Sequence, residues 1–300
     1  LNIYRANTHM NSIDDYLVAR IATYLPSPLN TPLRASCSRF RKLFTAPQKR
    51  SPLELLAHGA RIGSRALCEL ALAHGADGCD WLLASAAQYG YADICELAHD
   101  RLLKEGRTPK YSGVLTNAAS NGHIAICKLI HQWILERNVR IEYKWMLVGA
   151  AMCGQCATSE LACAWISENH QENTFGWALI KASEGGNCEI CEHIHARILA
   201  HNFTVQYDWM LASASAAGQR ATCELAHTWL LESKQTANYE NILAGPILQG
   251  QRDLCELLHT WAQESGQVIN YELIMTLAEL RQNYELRDLA REWGAIDARH

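Results

Sequence analysis

Cysteine and histidine recur four residues apart in this chain: Cys95 with His99, Cys127 with His131, Cys191 with His195, Cys223 with His227 and Cys255 with His259. On a helix, residues at i and i+4 share a face, so each pair has the donor atoms and the spacing to touch one zinc ion. Zinc takes four ligands, with sulfur about 2.3 Å from the metal. Packed helices lie about 8–10 Å apart, so equivalent pairs on neighbouring helices do not converge and each site stays half built. The densest cluster is Cys188, Cys191, His193 and His195, with Cys153 and Cys156 nearby as a CxxC. There Cys188 and His195 are two turns apart, about 10 Å along the axis, which is too far for one ion. Disulfides between equivalent cysteines fail in the same way, because bridged Cα atoms must lie within about 7 Å. The chain also lacks a Gly-x-Ser-x-Gly elbow, a phosphate-cradling glycine loop, a dinucleotide fingerprint and a His-Glu-x-x-His pair. No catalytic residue, metal ligand or cofactor is expected, and the chain reads as a non-enzyme.

The elements that carry these pairs repeat. Gly90, Gly122, Gly154, Gly186, Gly218 and Gly250 are each 32 residues from the next. The cysteine column lies five residues after the glycine, with Ser159 in one slot, and the histidine column four further on, with Cys163 in one slot. Trp81, Trp145, Trp177 and Trp209 lie nine residues before the glycine position, and Trp133, Trp165, Trp229, Trp261 and Trp293 lie eleven after it. Self-similarity at a period of about 20–50 residues marks a solenoid of stacked units. Adding residues 63 and 282 to the glycine column gives about eight units over residues 51–298. Each unit reads as a short helix from the tryptophan slot to the glycine, a reversal in the left-handed conformation that glycine supplies, and a longer returning helix. The expected fold class is all-α, a helix-turn-helix α-solenoid. Ala118-Ala119 and Ala150-Ala151 keep first helices slim where they meet. In CELAH, the Cys, Leu and His trio is expected to face adjoining units. Tyr111, Tyr143, Phe175, Tyr207, Tyr239 and Tyr271 are expected to wedge between successive loops. Arg287 and Arg291 replace the Cys and His columns in the last unit, the polar outer face that a terminal cap requires.

Composition narrows the function classes. The 300 residues are 49% hydrophobic and 19% charged, with 27 Lys+Arg against 31 Asp+Glu for a net charge of −4. That balance offers nothing to a phosphate backbone, so nucleic acid is not an expected partner, and neither is a membrane. The twelve cysteines sit mostly inside helical patterns, where a buried thiol behaves as a small hydrophobe. Reduced cysteines in a cytoplasmic or nuclear compartment are the simplest reading.

Residues 1–11 read as a tail, and residues 12–46 depart from the repeat. Ile13, Leu17, Ile21 and Leu25 recur at spacing four, a helical face that Pro26 and Pro28 terminate. Leu33, Cys37, Phe40 and Phe44 mark a second face. Tyr24-Leu25 followed by Ser36-Cys37-Ser38-Arg39-Phe40-Arg41-Lys42-Leu43 resembles an F-box, although Ile13-Asp14 stands where that family has Leu-Pro. The resemblance implies docking on the Skp adaptor of cullin–RING ubiquitin ligases, with Ile13, Leu17, Ile21, Leu25, Leu33 and Phe40 as the contact residues. Otherwise the same helices are a cap on the first repeat.

From Ser51 the units resemble ankyrin repeats. The first ends ALCELALAHGADG, with Leu67, Cys68, Leu70 and Leu72 in the family's apolar positions and Gly75-Ala76-Asp77 as its hairpin turn. Asn121-Gly122-His123 followed by Ile126-Cys127-Lys128-Leu129 matches the same motif. Trp-Met-Leu replaces the family's Thr-Pro-Leu-His, and units two to seven lack Gly-Ala-Asp. The pairing resembles F-box/ankyrin proteins that large DNA viruses deploy in host cells, which implies the host cytosol. The implied role is a substrate receptor that docks on the ligase and holds a target protein on its repeats. The alternatives are a scaffold that sequesters a partner and, third, a Cys/His metal store that would show stoichiometric zinc. Connecting segments differ from unit to unit, which suits partner recognition on a regular frame. Arg107, Lys110, Arg137, Arg140 and Lys144 make two tips basic and point to an acidic partner epitope.

Overall fold

The computed structural model describes residues 51–297, and among them it is helical throughout, with sixteen α-helices and no strand. They pair as eight helix-turn-helix repeats, in the register that the glycine column sets. The helices are α1 Pro52–Ile62, α2 Arg65–Ala73, α3 Cys79–Tyr89, α4 Ala92–Lys104, α5 Tyr111–Ser120, α6 Ile124–Glu136, α7 Lys144–Met152 and α8 Cys156–Glu168. They continue as α9 Phe175–Glu184, α10 Cys188–Ala200, α11 Tyr207–Ala216, α12 Arg220–Glu232, α13 Tyr239–Gln249, α14 Arg252–Glu264, α15 Tyr271–Leu280 and α16 Tyr284–Asp297. The candidate adaptor-contact residues Ile13, Leu17, Ile21, Leu25, Leu33 and Phe40 lie outside the described residues.

Residues 51–86 with Tyr91–Pro109 form one compact unit. Its first helix is specified locally. Ser51 and Glu54 form a reciprocal capping box, with Glu54 N–H donating to Ser51 Oγ at 3.2 Å and Ser51 N–H donating to the Glu54 carboxylate at 2.9 Å. Pro52 occupies the first turn, where its missing N–H costs nothing, and Gly63 closes the helix at φ +70°. The hairpin implied at Gly75-Ala76-Asp77 does not form as a strand pair; these residues are a turn between helices.

Ala87–Gly90 with the residues from Lys110 onward form the second unit. Its first helices α5, α7, α9, α11, α13 and α15 pack side by side in chain order, and each packs on its own returning helix. Small residues permit this. Ala118, Ala119, Ala150, Ala151, Ala182 and Ser183 are completely buried. Two buried hydroxyls stitch successive helices together: Ser183 Oγ donates to Met210 O at 3.3 Å and Ser215 Oγ to Ile242 O at 3.2 Å. Thr158 and Thr222 on returning helices reach further, donating to Ala119 O at 3.1 Å and Ser183 O at 3.0 Å. Each such bond satisfies a carbonyl that a helix terminus leaves without an intrahelical partner or shares one within it, and each ties two repeats.

The register corrects one expectation about the core. In the returning helices the cysteine is fully buried, but its companions are the residue before it and the residue three after it. In α10 these are Ile190 and Ile194, and in α14 Leu254 and Leu258. The Leu of CELAH, two after the cysteine, is only half-buried. Three residues span close to one turn of a helix, whereas two fall on different sides of it.

The final repeat closes as a cap. Arg287 and Arg291 both bond the Asp288 carboxylate, and Arg287 lies over the Tyr284 ring at 5.1 Å.

Candidate functional site

The histidine column is a brace between repeats. His131 stacks on Trp165 with ring centroids 3.9 Å apart and planes 9° apart, and it shares a 2.9 Å hydrogen bond with the Tyr143 hydroxyl. The arrangement recurs as His195 with Trp229 and Tyr207, His227 with Trp261 and Tyr239, and His259 with Trp293 and Tyr271. The spacing is constant: Tyr follows His by twelve residues and Trp by thirty-four. The aromatic at the start of each first helix thus wedges against the preceding imidazole rather than between loops. One junction departs as a whole. There Cys163 replaces His, Phe175 replaces Tyr, and position 197 holds Arg instead of Trp. Losing the imidazole removes the need for a hydroxyl, and Phe175 is fully buried without one.

Electrostatics agree with a packing role. Burial draws the imidazoles of His131, His195 and His227 below the ordinary histidine range, with Glu168, Glu232 and Glu264 respectively drawing the other way. Burial lifts the thiols of Cys127, Cys163, Cys191, Cys223 and Cys255 to about 12, so these sulfurs stay protonated at neutral pH and are not nucleophiles. Among the described residues no group of three or more His, Cys, Asp and Glu side chains is placed to hold a metal. A cavity of about 70 Å³ between α8 and α10 is lined by Cys156, Ser159, Glu160, Glu189, Ile190 and His193. It is well below the few hundred Å³ that a small-molecule site needs.

Two further columns shape the tips, and neither was identified from the sequence. Gln171, Gln235 and Gln267 each reach back one repeat. Their carbonyl oxygens accept from the backbone N–H of Tyr143, Tyr207 and Tyr239 at 2.9, 3.2 and 3.1 Å. Their amide groups donate to Ile141 O at 2.9 Å, Val205 O at 2.8 Å and Ala237 O. The second set is a column of left-handed residues where each returning helix ends: Gly106, Asn138, His170, Asn202, Lys234 and Gly266. The signal for both was the same 32-residue phase.

The two tryptophan columns part company. Trp133, Trp165, Trp229, Trp261 and Trp293 are buried, at 9% exposure or less. Trp81, Trp145, Trp177 and Trp209 are 47, 46, 46 and 58% exposed. In the second unit, Trp145, Trp177 and Trp209 fall in the first turns of three consecutive parallel helices, α7, α9 and α11, and make an aromatic row. Lys144 Nζ lies 5.3 Å from the Trp145 ring and Lys181 Nζ 5.2 Å from the Trp177 ring. The basic tip residues divide. Arg107 is bound to Asp80, to Glu105 at 3.4 Å and to Asp77 at 3.8 Å within its own unit. Lys144 pairs with Glu142 at 2.7 Å. Lys110, Arg137 and Arg140 project into solvent. No described helix is long and apolar enough to cross a membrane. No protein-family model matches the chain, and no curated protein matches it, so what can be said of its kind is that it is a helical repeat protein of the α-solenoid class.

Proposed function

We propose that this chain is a protein-recognition subunit with two working parts. Residues 12–46, which resemble an F-box, dock on the Skp adaptor of a cullin–RING ubiquitin ligase. The ankyrin-like repeats hold a target protein for modification. The observation that carries the reading is the row of half-exposed tryptophans Trp145, Trp177 and Trp209, one from each of three successive repeats. Large aromatic side chains left in solvent in register over successive repeats are what a protein-binding surface offers, and tryptophan is the residue most enriched among binding hot spots. In this reading the chain acts through binding, with its buried thiols and imidazoles engaged in packing between repeats. A cytosolic or nuclear setting fits its described cysteines, which are free and mostly buried, and the F-box/ankyrin pairing fits a viral protein working in the host cytosol.

The test is a pull-down of the purified chain with the Skp adaptor beside a version lacking residues 1–46. Binding by the full chain and not by the truncation is the expected result. If neither binds while the full chain is folded and monodisperse, the N-terminal helices are a cap and the protein is a scaffold.

A further inference from the structure

We infer that the row Trp145, Trp177 and Trp209 seats an extended, proline-rich peptide segment that is acidic at the end lying over α5 and α7. This rests on the protein-recognition reading above and names the chemistry of the partner.

Period argues for the extended form. The three indoles come from equivalent positions on helices that pack directly, so they step at the spacing of packed helices, about 8–10 Å. A polyproline II strand rises about 3.1 Å per residue with three residues per turn, so every third side chain returns to one face after about 9.3 Å. A β-strand returns to one face after about 6.8 Å and drifts out of step within two repeats. Proline rings on indole faces are an established mode of peptide capture, and the preformed strand gives up little entropy on binding.

The surface between the indoles suits a slim ligand. On α7 the positions one and two turns beyond Trp145 are Gly149 and Met152; on α11, beyond Trp209, they are Ser213 and Ala216. Only α9 carries charge there, Lys181 and Glu184, and these pair with each other.

Charge sets the direction. At the α5–α7 end, Lys110, Arg137 and Arg140 are exposed, while the carboxylate Glu142 is tied to Lys144. At the other end the exposed row meets Asp208 and Glu240 in the first turns of α11 and α13. A ligand with its carboxylates over α5 and α7 meets opposite charge at that end, and reversing it brings like charges together at α11.

The experiment uses the full chain and labelled peptides of four Pro-Pro-Leu triplets carrying three aspartates at one terminus, made in both polarities, read by fluorescence anisotropy. The expected result is that at least one binds ten-fold or more tighter than its counterpart with three lysines and than Asp-tagged Gly-Ser-Leu triplets. The combined variant Trp145→Ala, Trp177→Ala and Trp209→Ala should lose ten-fold or more of that affinity with an unchanged circular-dichroism melt. Equal binding of the proline and glycine-serine peptides overturns the proposal, as does unchanged binding by the triple variant. A concentration-dependent dimer that the triple variant abolishes also overturns it, since a second copy then covers the row. Failure here with the adaptor pull-down intact removes the ligand assignment alone. Loss of the pull-down with peptide binding intact removes the ligase role and leaves the row.

Discussion

The two tryptophan columns share a residue type, a period and a helical setting, yet one is locked inside the protein and the other stands in solvent. The buried column lies on returning helices, where Trp165, Trp229, Trp261 and Trp293 each meet the imidazole of the repeat before them. The other column lies on the first helices and stays about half exposed, with lysine ammonium groups over two of its rings. The same distinction governs the two columns of left-handed turns. At the first turn the next repeat leans on the backbone: a β-carbon at Gly218 would meet the Gln251 side chain, and one at Gly186 would meet Gln219. That column is glycine in every repeat but the last, where Gln282 takes φ +57°. At the second turn a β-carbon on Gly106 or Gly266 would meet nothing within 4 Å, and Asn138, His170, Asn202 and Lys234 occupy the equivalent places. A neighbouring repeat makes a position strict, and solvent leaves it free.

The sharpest way to break this comparison is to truncate one member of each column. Trp229→Ala should cost about 3–5 kcal/mol in urea denaturation, because it empties a buried, stacked site. Trp209→Ala should fall within about 0.5 kcal/mol of the parent. Comparable losses would mean that the bare column is structural.

Gly218→Ala should cost about 1–2 kcal/mol from the left-handed backbone alone, with displacement of Gln251 adding to it. Tyr239→Phe should cost about 1–2 kcal/mol, because it leaves the half-buried His227 imidazole without its hydroxyl. Phe175→Tyr should also destabilise, because that junction has Cys163 where the imidazole would be.

The brace makes stability depend on pH. Folded His131, His195 and His227 hold protons less tightly than they do unfolded, so the unfolded chain binds more protons as pH falls. The stability these residues contribute is therefore complete above the ordinary histidine range, and it declines as pH drops from there through their lowered folded values. The melting temperature should fall between pH 7.5 and pH 5, and combined His→Gln substitution at the three sites should flatten that slope. An unchanged slope would place the pH dependence on other groups.

The smallest effect tests the open turn. Lys234→Gly should stabilise by about 0.5 kcal/mol, the relief of a left-handed lysine less the extra chain entropy of glycine. A loss instead would mean that the lysine side chain makes a contact worth keeping.

Much of this architecture was legible from the residues alone because it is written eight times. The glycine phase identified the turns, the paired alanines identified the close helix contacts, and together they set the count of repeats. Burial within a first helix was not legible, and α11 shows why. Its ten residues, Tyr207 to Ala216, carry a single charge at Asp208, so hydropathy has almost no period from which to pick the outer face. The glutamine clamps were hidden for a related reason, since a polar residue in a connecting segment looks the same whether it faces water or a backbone one repeat away.

The sequence by itself determined the repeat, the helical class and where the chain reverses, because backbone conformation and helix period are local properties. Only the tertiary structure decided that His, Tyr and Trp from positions twelve and thirty-four residues apart form one brace, and that the other tryptophans stay bare. Those outcomes depend on which face the neighbouring repeat covers, and that is a property of the stack.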